Sequence, residues 1–314
     1  MAPILDVRQL VKQYGPVTAV KGISFTVEAG ELFSLLGPNG AGKTTTIAVL
    51  STLYPPTRGD AIIAGHSVTQ EPMAVRRVIG VVPQELALYE DLSARENLLF
   101  WGRMYGLSGK ALRRRADEVL EQIGLRERAH ERVKTYSGGM KRRLNIGIGL
   151  LHRPRLLFMD EPTVGIDPQS RRAILDAVKA LNAQGMTILY TTHYMEEAEE
   201  LSHRVGIIDH GELIALGTQA ELTRQVGETE TVVFHLGEAE DAPALAQALK
   251  DVPGVLQATA TDHEIAVITR TAAEVLAPIV ACANGRGIRI RTLTIREPNL
   301  EAVFLHLTGR DLRD

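Results

Sequence analysis

GPNGAGKTT, residues 37–45, follows the compact apolar run ELFSLL and opens TTTIAVLSTL, a segment of helical character. Strand, glycine loop and helix in that order are the context a phosphate-binding loop requires. Gly37, Gly42, Lys43 and Thr44 fit the G-x-x-x-x-G-K-[ST] spacing, with Pro38, Asn39, Gly40 and Ala41 inside the loop and Thr45 just beyond it. Glycine lets the backbone wrap anionic oxygens closely, and the helix behind aims its positive N-terminal end at them. Lys43 is suited to supply a point charge to β- and γ-phosphates, and the Thr44 hydroxyl to ligate Mg²⁺. The loop predicts nucleotide binding.

A nucleotide-hydrolysing site also needs a carboxylate on a neighbouring strand. LLFMDE, residues 156–161, provides four apolar residues and then Asp160 and Glu161. Asp160 is positioned to hold Mg²⁺, and Glu161, one residue further, to act as a base toward an attacking water. The apolar run TILYTTH ends in His193, where spacing alone does not separate a satisfied strand-end residue from a catalytic one. These runs read as buried parallel strands, and QSRRAILDAVKALNAQG between them as a helix capped near Gly185. The alternation argues for an α/β core. Residues 91–151 are helical in pattern, beginning at the capping box SARE. Within them YSGGMKRR, residues 136–143, is a second glycine turn at a helix start. Ser137, Gly138 and Gly139 offer a hydroxyl and amides to an anion there, and Leu144, Ile148 and Leu151 mark an anchoring apolar face.

Composition bounds the rest. The 314 residues are 45% hydrophobic and 23% charged, which fits a folded chain of roughly two domains. A net charge of −3 gives no global field for nucleic acid or anionic lipid. The single cysteine, Cys282, lies in the apolar run VLAPIVACA and reads as a buried thiol. The N-terminus lacks the pattern of a secretion signal, and no run reaches the roughly 18 apolar residues of a membrane span. A membrane function would therefore require another chain to cross the bilayer. Beyond about residue 221 the character changes. TVVFHL, EIAVIT and IRIRTLTI read as strands, with helical segments between them and a linker expected near Gly217 to Gly227. In the last strand Ile288 and Ile290 fall on one face and Leu293 and Ile295 on the other, so a bulge near Thr292 is expected.

Together these motifs resemble the ATP-binding cassette (ABC) ATPases across roughly residues 4–220. GPNGAGKTT corresponds to Walker A, Gln84 in VVPQ to the Q-loop, YSGGM to the signature, LLFMDE to Walker B, Asp167 in VGIDP to the D-loop, and His193 to the switch histidine. The resemblance implies a P-loop cassette at 1–222, with a helical subdomain at about 86–151 and a small α/β accessory domain at 228–314. It implies ATP and Mg²⁺ as ligands and a head-to-tail homodimer in which each ATP lies between one Walker A and the other copy's signature. Tyr14 is then expected to stack on adenine, although an edge-strand aromatic would look alike. Gln84 would reach Mg²⁺ and the attacking water, His193 the γ-phosphate, and Asp167 the dimer interface. The signature departs from the commonest LSGGQ form at Tyr136 and Met140.

EPNLEAVFLHLTGR, residues 297–310, is similar to the ending of the daunorubicin-resistance type of exporter ATPase. Its apolar stripe comprises Leu300, Val303, Phe304 and Leu307. The resemblance implies a motor subunit at the cytoplasmic face of the membrane, driving a separate permease that moves a drug, lipid, polysaccharide or similar cargo. ENLLFWGRMYGL, with Leu98, Phe100, Trp101 and Tyr105, is the expected permease-facing segment, with subdomain core as the competing assignment. The alternative from another class is a soluble ABC ATPase acting on nucleic acid or ribosomes. One Walker A and the absence of a heptad run weigh against it.

Overall fold

The chain opens with β1 (Leu5–Tyr14) and β2 (Val17–Val27), antiparallel across a turn at Gly15 and Pro16. The apolar strand β3 (Leu32–Leu36) runs into the glycine loop and α1 (Lys43–Leu50). β4 (Arg58–Ile63) and β5 (His66–Ser67) complete a four-stranded sheet in the order β2-β1-β4-β5. α2 (Pro72–Val78) and β6 (Ile79–Val82) follow. The computed structural model describes residues 3–225, 230–237, 242–261, 264–296 and 299–308.

Three helices form the next layer: α3 (Ala94–Met104), α4 (Gly109–Gln122) and α5 (Gly138–Leu150). Ser93 and Glu96 make the capping box at the start of α3: the Glu96 amide donates to the Ser93 hydroxyl at 3.2 Å, and the Ser93 amide to the Glu96 carboxylate at 2.8 Å. α5 differs from the amphipathic helix its apolar stripe suggests, since every residue from Leu144 to Leu150 is buried. Two glycines make this possible. A Cβ at Gly147 would lie 2.9 Å from Val119, and one at Gly149 would lie 3.2 Å from Leu157, so α4 and the sheet close in on opposite sides.

β7 (Leu156–Asp160), α6 (Pro168–Ala183), β8 (Thr187–Thr192), α7 (Met195–Leu201), β9 (Arg204–Asp209) and β10 (Glu212–Gly217) complete a six-stranded sheet in the order β10-β9-β3-β8-β7-β6. All its neighbours pair parallel except β10 with β9. β3, β7 and β8 are buried at every position, which explains why their sequences are unbroken apolar runs rather than alternating ones. The register sets Leu36 beside Thr192 and Asp160 beside Thr191. The loop after β3, the acid pair and His193 therefore leave the sheet along one edge.

The chain divides into two compact units between Thr218 and Gln219. α8 (Gln219–Gln225) belongs to the second unit, where it lies against α11 (Leu300–Thr308). Residues 226–229 of the expected linker lie outside the described residues. The second unit runs β11 (Glu230–Leu236), α9 (Ala242–Leu249), β12 (Val255–Thr261), β13 (Glu264–Thr269), α10 (Ala272–Gly285) and β14 (Ile290–Arg296). Its antiparallel sheet has the order β12-β13-β11-β14. Val232, Phe234, Ile265 and Val267 pack with Leu245, Leu249, Val275 and Ile279 of the helices.

The expected bulge is present. Thr292 lies beside His235 and Ile290 beside Leu236, so Arg291 is the extra residue. Leu293 and Ile295 then lie beside Phe234 and Val232, on the same face as Ile290. They remain 39% and 44% exposed because β14 is an edge strand. In α11, Leu300, Val303 and Phe304 are buried, but Leu307 is 38% exposed, so the apolar stripe is shorter than its spacing suggests. Cys282 is partly buried and accepts from Arg286 at 3.3 Å.

Candidate active site

The glycine loop closes around its own lysine. Lys43 is buried, and its ammonium donates to the carbonyls of Gly37 at 2.6 Å and Pro38 at 2.8 Å. The glycines have separate causes. A Cβ at Gly37 would meet the Ile208 carbonyl at 2.1 Å; Gly42 has φ of 107° and faces the Ala19 carbonyl. Asn39, Gly40, Gly42, Lys43, Thr44, Thr45, Gln84 and Glu161 line one cleft. Gly37, Pro38 and Ala41 form its buried support.

The acid pair enters from β7. The Thr44 hydroxyl donates to the Asp160 carboxylate at 3.2 Å, and the Thr191 hydroxyl donates to the same oxygen at 2.7 Å. Burial raises the Asp160 pKa, opposed by these two hydrogen bonds. Glu161 takes a left-handed backbone conformation, φ 44°, which costs a non-glycine residue on the order of 1 kcal/mol. Its amide donates to the carbonyl and hydroxyl of Thr191, holding the turn. The carboxylate thereby reaches Lys43 at 3.0 Å and His193 Nδ1 at 3.2 Å. Burial pulls the Glu161 pKa upward, but His193 and the Lys43 charge outweigh it and bring it to about 2. The structure thus joins His193 to the acid pair, which sequence spacing left open.

Tyr14 stands beside this cleft without forming part of its wall. It is 42% exposed, edge-on to Tyr54 at 6.1 Å, with the Lys12 ammonium 4.9 Å from its ring centre.

The second glycine turn lies elsewhere on the same unit. The Ser137 hydroxyl accepts from the Met140 amide at 3.2 Å as the N-cap of α5. Ile166 approaches Gly138, and a Cβ on Gly139 would lie 2.4 Å from the Ser170 Cβ. Asp167 caps α6, accepting from the Ser170 amide at 2.9 Å. The signature and D-loop residues are therefore packed against each other. Tyr136 is buried at 5% exposure and donates to the Arg128 carbonyl at 2.5 Å, and Met140 packs against the helical-subdomain core. Both unusual signature positions pack within the chain.

Sequence reading missed Arg142 and Asn145. Arg142 is 4% exposed and donates to the carbonyls of Pro83 at 2.9 Å and Gln84 at 2.7 Å. The Asn145 carbonyl oxygen accepts from the Ala87 amide at 3.3 Å. The signature helix thereby holds the backbone of the Q-loop. A signal existed: Gly139, Arg142, Asn145, Ile146 and Gly149 recur at helical spacing on a buried face, where a charge demands a partner.

A strand–loop–helix phosphate cradle with paired acids at the end of β7, which β8 separates from β3, defines a P-loop nucleotide hydrolase. The family model described as "ABC transporter" matches residues 20–164. The linearmycin resistance ATP-binding protein LnrL of Bacillus subtilis is 48% identical, covering 99% of this chain and 100% of its own. The daunorubicin/doxorubicin resistance ATP-binding protein DrrA of Streptomyces peucetius is 40% identical, covering 99% and 94%. Among solved structures, an ATP-binding subunit of an ABC transporter is 33% identical, with TM-score 0.63 over 71% of this chain and 93% of that one. A dimeric ATP-binding cassette in a post-hydrolysis state, bound to ADP and Pi, is 27% identical, with TM-score 0.61 over 68% and 98%. The chain belongs to the ABC transporter family, as an ATP-binding, ATP-hydrolysing protein of the drug-exporter type.

Proposed function

We propose that two copies of this chain form the ATP-driven motor of an exporter whose membrane-spanning part is a separate permease. The juxtaposition of Lys43, Glu161 and His193 carries the hydrolytic part of this reading. Phosphate oxygens would compete with Glu161 for Lys43 and His193. Released from those partners, the carboxylate would become a stronger base toward a water at the γ-phosphorus. Gln84, on the cleft wall, would help orient that water. The left-handed turn at Glu161 supports the assignment, since such strain concentrates where a side chain must be aimed.

Thr44 and Asp160 offer hard oxygen ligands side by side, and Gln84 shares the cleft. Among the described residues no cluster of three His, Cys, Asp or Glu could cage a metal. This donor set fits Mg²⁺, which binds through one or two protein oxygens with substrate phosphates and waters. The ion would neutralise charge on the phosphates, while Thr44 and Asp160 hold it. Tyr14 is assigned to the adenine ring.

Ser137, Gly138 and Gly139 would receive the γ-phosphate of ATP held by the second copy, with Asp167 crossing beside them. Support comes from a relative solved as a dimeric cassette and from the exposed positions of Ser137 and Gly138. Among the described residues no helix is long and apolar enough to cross a membrane, which supports a separate permease and a peripheral position at the cytoplasmic face. Leu98 is fully buried, which removes it from the expected permease contact. Phe100, Trp101 and the exposed Tyr105 remain, with Tyr89 edge-on to Phe100 and Trp101 donating to the Ala87 carbonyl at 3.1 Å. Resistance to linearmycin and to daunorubicin and doxorubicin is named in the relatives, so a drug is the preferred cargo class. The relatives offer no support for action on nucleic acid or ribosomes.

Glu161→Gln tests the reading. ATP turnover should fall by about 10²–10⁴-fold while an ATP-bound dimer accumulates on size-exclusion chromatography. Turnover near the parent rate would remove Glu161 as the base.

A further inference from the structure

A buried carboxylate outside the cleft gathers partners from β8, from the turn that follows β7 and from α6. Glu197, on α7, is 2% exposed. One carboxylate oxygen accepts from the Thr163 hydroxyl at 2.7 Å and is paired with Arg171 Nε at 3.1 Å. The other accepts from the Tyr190 hydroxyl at 2.8 Å and the Thr192 hydroxyl at 2.9 Å. A buried acid with three hydroxyl donors and one guanidinium ion pair is stable only while these partners stay in place, so it fixes their relative positions.

Three of these partners lead on into the site. Thr192 directly precedes His193, and its hydroxyl also accepts from the Tyr194 amide at 2.9 Å, so the bonds bracket the histidine. The Arg171 guanidinium lies 3.8 Å from the Tyr194 ring centre, and that ring contacts His193 with centroids 4.1 Å apart. Thr163 is two residues beyond Glu161, and its carbonyl accepts from the Ile166 amide at 3.2 Å, in the turn that reaches Asp167. The Arg171 amide donates to the Asp167 carbonyl at 2.8 Å, and Ser170 beside it packs against Gly139.

We propose that Glu197 is a positioning residue that locks His193, the turn through Asp167 and the first turn of α6 into one rigid body. The state of the γ-phosphate contact at His193 is thereby transmitted to the face where the second copy docks. Solvation or packing alone would not require this carboxylate, since an apolar α7 would bury its face more cheaply. The inference rests on the roles assigned above to His193 and Asp167.

The test is a double-mutant cycle on the full chain. Glu197→Gln keeps the shape but turns one acceptor oxygen into a donor. It should lower kcat about tenfold while ADP affinity, measured with a fluorescent ADP analogue, stays within twofold of the parent. Combined with His193→Ala, in single-turnover assays at high protein concentration, it should cause no further loss, because a misplaced histidine and a missing one are equivalent. Losses that multiply in the double variant, or a kcat within twofold of the parent in Glu197→Gln, would overturn the proposal. Should Glu197→Gln not fold, Thr163→Val removes one donor at constant shape and enters the same cycle with an expected threefold loss of kcat. If His193→Ala alone retained parental turnover, the assignment of His193 would fail and take this inference with it. That outcome is distinct from multiplied losses.

Discussion

The phosphate loop and the signature turn both place glycines at the start of a helix, yet their surroundings differ in kind. At the loop, Lys43 is held by carbonyls of the loop itself and by Glu161, so its cation is directed into the cleft. The signature is also followed by cations, but each is already engaged, Lys141 and Arg143 within the helical subdomain and Arg142 by the Q-loop backbone. Lys141 pairs with Glu90 at 2.5 Å, Arg142 holds the Pro83 and Gln84 carbonyls, and Arg143 donates to the Ile123 carbonyl at 3.0 Å. The signature turn therefore offers amides and one hydroxyl without an adjacent free cation. On the proposed reading, one region holds a polyphosphate and the other touches a phosphate held by the second copy.

The largest effects should separate the two regions by ligand binding. Lys43→Ala removes the cation of the cleft and should reduce turnover by on the order of 10³, with nucleotide affinity falling in parallel. Gly139→Ala should leave binding of ATP to a single copy unchanged while turnover drops roughly tenfold or more, because a Cβ would collide with Ser170. Adding Ser170→Gly relieves that collision and should restore most of the turnover. Failure of the rescue would mean that the glycine serves a phosphate directly, and would sharpen the comparison in that direction. Equal loss of nucleotide binding in both variants would break it.

This contrast also shows what the sequence made legible. GPNGAGKTT could be read because backbone geometry, a helix terminus and one lysine lie within nine consecutive residues. The strands β3, β7 and β8 were visible as apolar runs because both faces of a central parallel sheet are covered. His193 could not be assigned from spacing, since its contact with Glu161 depends on the order of β7 and β8 in the sheet. Gly139 read as an anion seat, and its packing against Ser170 became visible only with α5 and α6 side by side. Arg142 was hidden in a basic run that looks solvated; its partners are 58 and 59 residues away.

Two variants probe the middle of the range. Arg142→Lys keeps a charge but cannot fork to two carbonyls, so the Q-loop backbone should loosen. A tenfold fall in kcat with nucleotide affinity unchanged would show that the signature helix positions Gln84; parental kcat would show that it does not. Tyr136→Phe removes the hydrogen bond to the Arg128 carbonyl and should cost about 1 kcal/mol by urea denaturation, with turnover within twofold. A larger loss of turnover than of stability would assign Tyr136 a part in phosphate binding after all.

The smallest expected effect is a pH dependence of stability at the rear of the helical subdomain. His152 donates to the Ile79 carbonyl at 2.6 Å and stacks on Tyr105 with ring centres 4.1 Å apart. Burial lowers its pKa below the ordinary 6.5, with Arg115 acting in the same direction against the Ile79 bond. Between the folded and unfolded values the unfolded chain binds the extra proton, so stability rises with pH through that window. The contribution is complete above about pH 6.5 and is lost as the pH falls below it. His152→Gln keeps a donor for the Ile79 carbonyl but does not titrate. Its urea midpoint should change less than the parent's between pH 7.5 and 5.5, while relative ATP turnover in the two proteins stays the same at each pH. Equal slopes would place the titration elsewhere; divergent turnover would mean that this corner of the subdomain reaches the catalytic cleft through β6 and the Q-loop that follows it.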